Sequence, residues 1–510
     1  GAPNIEVGMY FRFQHLKSLF ERKKYKDCLT KIGYIENMVD LEKATEKVYY
    51  AKVAALILKL HIFLITEIDD NQFNTLSEYV QRILNRKAMS NNLSAAPGPQ
   101  WQDHHTLIMA FIYYWTCQTM RLIEKQQFKY DDRLVCHDSY KYLWIYSRIL
   151  NQVLSGGKRL KSYFDWYSRT ELLTLSLYLQ STIERTSRPK KFEKVKKTTN
   201  SVISKCDDFI ADFQKRFQNG YPAPYAEYER LQTILSIRMM SDRNHIVHLI
   251  TSTQWVEAQN VLSQSIAIMA HHPYLFYYHR FDYHLLIGMY AMSTQKFDAA
   301  HAHFDYILAA SKKNVLNQWT KMYKALALLN NHVLVSESQF DSVKNRVFEL
   351  IDTIKPEHTK GIRGLERGLD FVRGCLFAMN GATREAQEKL RSAFELSEYE
   401  VVNQQLCGSL ALYLAQCYGP HSNSQSANQL VRKQCMDHAL TYANFCKDYL
   451  LQYSIFSIHG IEALPSYSTE QLSSQKKQIS DYLESQLTTL QSKEEFHSLL
   501  HWLPHHSPDY

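Results

Sequence analysis

Four stretches of this chain repeat one another at a nearly constant distance, and that period limits the available folds more than any other feature. Each stretch has an aromatic residue or Thr, a small residue three positions on, and an apolar residue four positions after that. They are Trp255, Ala258, Leu262; Phe297, Ala300, Phe304; Phe340, Val343, Val347; and Thr383, Ala386, Leu390. The small positions 258, 300, 343 and 386 are separated by 42, 43 and 43 residues. A fixed period of this size signals stacked supersecondary units, each of which buries its apolar stripe only against its neighbours.

Gly288 and Gly374 each lie 12 residues before the small position of a repeat, inside apolar helical stretches. A glycine there, with a small residue on the following helix, lets two antiparallel helices approach closely, which is the packing logic of a tetratricopeptide hairpin. The period exceeds the usual value of about 34, so longer helices or inserted linkers are expected. Fainter copies lie at Tyr25, Cys28, Ile32 and at Phe73, Leu76, Val80. The predicted fold is all-α, a TPR-like superhelical solenoid of antiparallel helix pairs. Residues 1–220 would hold degenerate helical repeats with a basic insertion near 157–224, residues 225–464 the regular repeats, and residues 465–510 a capping helix and tail. Ser468, with Gln471 three residues later, marks the start of that last helix as a capping box.

Composition agrees with helix after helix. Gly 16 and Pro 12 in 510 residues are roughly half of average usage, which leaves little room for a β-sandwich or for glycine-rich phosphate loops. The formal charge of +8 is mild, so an acidic partner is permitted and not demanded. Nine cysteines without a CxxC pair read as free thiols in a reducing compartment. The apolar run Val53 to Ile65, interrupted by Lys59 and His61, falls short of the roughly 20 residues a bilayer span needs, so no membrane association is expected. The chain opens at Gly1 without an initiator Met, as a processed or shortened piece of a longer protein would.

A solenoid offers an extended concave groove that binds peptides. With Gly288 and Gly374 equivalent, that groove would carry Leu285, Met289 and Met292, then Phe371, Cys375 and Met379. Such a lining lacks the Lys and Asn that grip a chain-terminal carboxylate, and suits a long segment with apolar anchors. The same side chains also read as ordinary interhelical core, and the sequence leaves both readings open.

Chemistry finds no foothold. His497 and His501 stand at i, i+4, but the segment HSLLH lacks the glutamate of a zinc-protease helix. Gly156, Gly157 and Lys158 lack the first glycine and the hydroxyl of a phosphate loop. No cofactor and no metal are expected. One basic run stands out, Arg188, Lys190, Lys191, Lys194, Lys196 and Lys197 against Glu193. It reads as a nuclear-import signal, a phosphate-contacting patch on DNA, or a solvated helix face.

The stretch from about Tyr228 to Tyr418 resembles the TPR small subunit of the cohesin loader, the MAU chromatid cohesion factor family. The resemblance rests on LLIGMYAMSTQKFDAAHAHFDYIL (Leu285 to Leu308), VFELIDTIKPEH (Val347 to His358) and RGLDFVRGCLFAMNGATREAQEKLRSAFELS (Arg367 to Ser397). The family pattern of a helix ending in Asn-Pro-Asp-His is met here by Lys355, Pro356, Glu357 and His358, and its following helix by Glu385, Ala386, Leu390 and Arg391. Upstream, PQWQDHHTLIMAFIYYW (Pro99 to Trp115) is similar to the family's Trp-containing loop and helix. Two departures are visible: further N-terminal repeats usual in the family do not precede this part, and Gly157 to Pro224 has no clear counterpart.

The resemblance implies a non-enzymatic nuclear partner of the large HEAT-repeat loader subunit, of the Nipped-B type, whose N-terminal segment threads through the superhelix. Together they load the cohesin complex onto chromatin for sister chromatid cohesion. It implies no catalytic residue and no small-molecule substrate. The alternatives are a scaffold of another assembly, such as a proteasome-lid-like or ubiquitin-ligase subunit, and a DNA-contacting adaptor using residues 188–197. A lid-type subunit should end in a small winged-helix domain with strands, whereas Leu472 to Leu500 reads as one polar helix.

Overall fold

The computed structural model describes residues 2–22, 24–66, 70–93, 99–125, 169–187, 192–217, 223–331, 337–360, 362–400, 404–419, 425–458 and 467–502, with the single positions 142, 145, 146 and 149. Among the described residues every regular element is a helix. They fall into two compact units, the first made of residues 1–124 and 136–180 and the second of residues 125–135 and 181–510.

The first unit holds α1 (Ala2–Glu21), α2 (Tyr25–Met38), α3 (Glu46–Ile65), α4 (Asp70–Ser90), α5 (His105–Lys125) and the start of α6 (Arg169–Ser187). Its core is α3, which is apolar on nearly every side and packs against α1, α2 and α4. The sequence reading sets the apolar run at Val53; the helix begins at Glu46, so it is long and apolar enough to span a bilayer by length and composition. Of its most apolar stretch, 78% is buried inside the protein, as in the core helix of a folded domain. Two lysines on it are accommodated by α2. Lys52 Nζ donates to the carbonyls of Glu36 (2.8 Å) and Val39 (2.7 Å) at the negative end of α2, and Lys59 pairs with the Glu36 carboxylate at 2.8 Å. Near Trp101, which opens the family-like segment, the rings of Phe111 (5.6 Å) and Tyr146 (5.3 Å) meet its indole edge-on.

The second unit runs α7 (Phe192–Phe217), α8 (Tyr225–Thr251), α9 (Trp255–His271), α10 (Pro273–Ser293), α11 (Phe297–Ala310), α12 (Asn314–Asn331) and α13 (Glu337–Asp352). It continues with α14 (Arg363–Met379), α15 (Thr383–Glu400), α16 (Gln404–Cys417), α17 (Gln425–Cys446), α18 (Tyr449–Ile458), α19 (Thr469–Gln491) and α20 (Glu494–Leu500). Successive helices pack as hairpins around one continuous core. The sequence period falls at the start of every second helix: Trp255, Phe297 and Thr383 are the first residues of α9, α11 and α15, and Phe340 lies in the first turn of α13. Ala258, Ala300 and Ala386 are fully buried.

The glycines act as expected but with a different partner. A Cβ on Gly288 would collide with the Phe304 ring, and one on Gly374 would lie 2.6 Å from Leu390 Cδ2. The space is taken by the large apolar residue of each repeat, four positions beyond the small one. The turns share one geometry as well. Thr253, Gln295, Gly381 and Lys447 all have positive φ (53°, 62°, 73° and 54°). In each turn the next amide reaches back five residues in a Schellman closure: Gln254 N to Leu249 O (2.9 Å), Lys296 N to Ala291 O (2.7 Å), Ala382 N to Phe377 O (2.9 Å) and Asp448 N to Ala443 O (2.9 Å).

Candidate functional site

Four of the six proposed groove residues lie at matching places on α10 and α14, while Met292 and Met379 are 87 residues apart and one position out of register. Leu285 and Phe371, and Met289 and Cys375, are separated by the same 86 residues as Gly288 and Gly374. Met289, Phe371 and Cys375 are buried, while Leu285, Met292 and Met379 are half-buried against the core. Phe371 meets Tyr413 edge-on at 5.2 Å. Burial pushes the Cys375 thiol up, so it serves as a small apolar filler.

Of the basic run, Arg188, Lys190 and Lys191 lie outside the described residues, as do Gly156, Gly157 and Lys158. Lys194 stands on α7, and Lys197 there is exposed. Lys196 is engaged within the unit: its ammonium meets Glu257 Oε2 at 3.2 Å and Gln254 Oε1 at 3.4 Å, tying α7 to α9. A second tie uses Arg238 on α8, whose Nε donates to Asp207 Oδ1 at 2.8 Å. Arg238 also pairs with the fully buried Asp242, which accepts from Ser265 Oγ at 3.0 Å.

The arrangement sequence reasoning did not anticipate is a clasp made by the last two helices. Ser468 and Gln471 form the expected capping box, with Gln471 N to Ser468 Oγ at 3.2 Å and Ser468 N to Gln471 Oε1 at 2.8 Å. From there α19 buries Leu472, Ile479, Leu483 and Leu490 along one stripe, packing on α18 and on α9. Its Tyr482 hydroxyl donates to Thr253 O (3.3 Å), and Gln486 Oε1 accepts from Val256 N (3.1 Å). Thr253 Oγ1 in turn accepts from Tyr449 N at 3.4 Å. A β-branched residue at positive φ is disfavoured by its own Cβ; here its buried side chain and carbonyl join the α8–α9 turn to the α17–α18 turn and to α19.

The second half of the clasp is a pair of buried imidazoles. His303 Nε2 lies 3.0 Å from Leu500 O, and its Nδ1 lies 2.9 Å from His284 Nδ1. A carbonyl only accepts, so Nε2 carries the His303 proton, Nδ1 is its acceptor, and His284 donates through Nδ1. Both rings are therefore neutral. Burial, reinforced by the neighbouring His303 and Arg280, lowers His284 to about 3; burial likewise lowers His303 to about 4. Trp502 stacks on His284 at 4.7 Å, and Phe496 meets Tyr290 at 6.1 Å. The clasp thus joins α9, α10 and α11 to α18 and to the α17–α18 turn. Its signals were weak in sequence because its contacts span about 200 residues; only the capping box and the aromatic Phe496 and Trp502 hinted at a docked end.

Among the described residues no three His, Cys, Asp or Glu side chains converge as metal ligands, and the eight described cysteines are unpaired with one another. Helical hairpins in series, closed by their own C-terminal helices around a single core, define a helical-repeat scaffold. The chain belongs to the cohesin loading factor family, which it matches over residues 9–483. It is similar to the MAU2 chromatid cohesion factor homologs of Drosophila virilis (22% identical over 282 residues) and Drosophila grimshawi (21% over 282 residues). Each alignment takes in 55% of this chain and 41% of the relative, so the chain spans about two fifths of the length of these curated relatives.

Proposed function

We propose that this chain is a non-enzymatic scaffold that holds an extended segment of a large HEAT-repeat cohesin-loader subunit of the Nipped-B type. With that subunit it supports the loading of cohesin onto chromatin in the nucleus. The observation that carries the reading is membership of the cohesin loading factor family across residues 9–483. The repeat architecture supports it, since stacked hairpins present the long surface an extended segment needs. In this reading Leu285, Met292 and Met379 meet the segment, while Met289, Phe371 and Cys375 hold the surface from beneath.

The test is a pull-down of the purified full chain with the tagged N-terminal segment of the large loader subunit. Stable retention is expected. Changing half-buried Leu285 and Met379 to Glu should weaken it by about tenfold or more, because a carboxylate then faces an apolar anchor. A chain that ignores the segment sinks the reading.

A further inference from the structure

The α1–α2 hairpin carries an exposed apolar groove. Both helices pack on α3 and bury Met9, Phe13, Cys28 and Ile32. On the other side Phe11, Tyr34 and Met38 are 66%, 56% and 62% exposed. These three, with Arg12, His15, Leu16, Lys31 and Ile35, line a groove of about 490 Å³ between the two helices. On α2 the stripe Lys31, Tyr34, Ile35, Met38 follows i, i+3, i+4, i+7, the spacing of a helix face that receives another helix. On α1, Gly8 lies one turn before Arg12, and a Cβ added to it would meet nothing within 4 Å. The backbone there is open to close approach.

The charge of the groove is one-sided. Its lining carries Arg12, Lys31 and His15 beside the Tyr34 phenol, and no carboxylate. Arg12 reaches only the Met38 sulfur at 2.8 Å, and Lys31 sits 5.8 Å from the centre of the Tyr34 ring. Glu36 and Glu6 are engaged elsewhere, by Lys59 at 2.8 Å and by Lys47 at 3.1 Å, while Asp27 stands one turn before Lys31 on α2. An apolar floor between basic rims is complementary to a helix with an apolar stripe and acidic edges.

We propose that the α1–α2 groove docks an amphipathic, acidic-edged helix of a partner protein. This site lies in the first unit, whereas the segment-binding residues proposed above belong to the second. The test uses the full chain and two labelled synthetic helices with the same leucine stripe, one flanked by glutamates and one by lysines, in fluorescence anisotropy at low salt. The glutamate peptide should bind about tenfold more tightly than the lysine peptide, since two or three rim ion pairs distinguish them. Met38→Glu should abolish binding. Gly8→Gln should weaken it without lowering the melting temperature, because it fills open space on an exposed helix face. Equal binding of the two peptides, or binding that survives both variants, overturns the proposal. So would concentration-dependent self-association lost in Met38→Glu, which would make the occupant a second copy, or binding to anionic phosphatidylserine vesicles lost in Met38→Glu without peptide binding.

Discussion

The α10–α11 and α14–α15 hairpins are two copies of one design, and they differ where the chain's end lies on one of them. Gly288 opposite Phe304 corresponds to Gly374 opposite Leu390. The correspondence extends to the polar pair that crosses each hairpin: moved on by 86 residues, His284 and His303 become Asp370 and Lys389. Both pairs are held at 2.9 Å. The imidazoles are fully buried beneath Leu500 and Trp502. The ions keep contact with water, Lys389 being 37% exposed, and Arg367 joins Asp370 at 2.9 Å. One position therefore carries two chemistries according to whether it is wet. Covering a charged pair would require desolvation that its Coulomb attraction repays poorly, whereas two neutral rings can be buried and still bond to a backbone carbonyl.

The comparison breaks if the two pairs prove energetically alike. His303→Ala leaves the His284 proton and the Leu500 carbonyl without partners in a dry site, and should lower stability by about 2–4 kcal/mol. Lys389→Ala should lower it by less than about 1 kcal/mol, since Asp370 retains Arg367 and both partners are hydrated. Urea denaturation followed by circular dichroism measures both, and equal losses would refute the argument. A smaller contrast is expected at the glycines. Gly288→Ala drives a methyl into a buried ring and should lower stability by about 1–3 kcal/mol, recovered in part by Phe304→Leu. Gly374→Ala sets its methyl 2.6 Å from both Cγ and Cδ2 of the buried Leu390, and should lower stability by about 1–2 kcal/mol, less than at Gly288 because a leucine shifts more easily than a ring.

Acid should separate the hairpins next. His284 and His303 titrate below the ordinary 6.5 in the folded chain. The stability they confer is fully present above about pH 6.5 and is lost as pH falls toward about 4. At pH 5.5 the loss is about 1.4 kcal/mol for each imidazole that titrates independently. The charges facing the pair, Arg280 on α10 and His501 after α20, disfavour protonation and so keep the folded values low. Amide exchange should therefore accelerate in α19 and α20 between pH 6.5 and 5 while α14–α15 is little changed. Unchanged protection of α20 at pH 5 would disprove the imidazole link.

What sequence could reveal here was set by the range of each interaction. The repeat, the hairpin glycines and the Ser468 capping box are local patterns, and the structure places them where the spacing predicts. The partner of Gly288 was legible only in part: a small residue on the next helix suggested the close contact, but the helical phase brings Phe304 to the glycine instead of Ala300. The apolar run at Val53 underestimated α3 because Lys52 looks like a boundary until the carbonyl ends of α2 are seen to receive it. The clasp was hidden for a different reason. Thr253 meets Tyr482 and His303 meets Leu500 across about 200 residues, and no periodicity links the partners. Lys196 looked like one cation in a free run, and only the packing of α7 on α9 reveals Glu257 beside it.

The finest difference between the two hairpins lies in their turns, and it yields the smallest effect. Gln295 and Gly381 hold the same left-handed position, at φ 62° and 73°. An L side chain there is strained by its own Cβ by roughly 1 kcal/mol, whereas glycine is not. Gln295 is exposed, and a Cβ on Gly381 would meet nothing within 4 Å, so neither exchange disturbs packing. Gln295→Gly should raise stability by about 0.5–1 kcal/mol, and Gly381→Gln should lower it by the same amount. The double exchange should then leave the chain near its starting stability, with the strain moved from one hairpin to the other. A gain at 295 without the matching loss at 381 would mean that the turns differ in more than their backbone angle, and that the two hairpins are less alike than the shared period makes them.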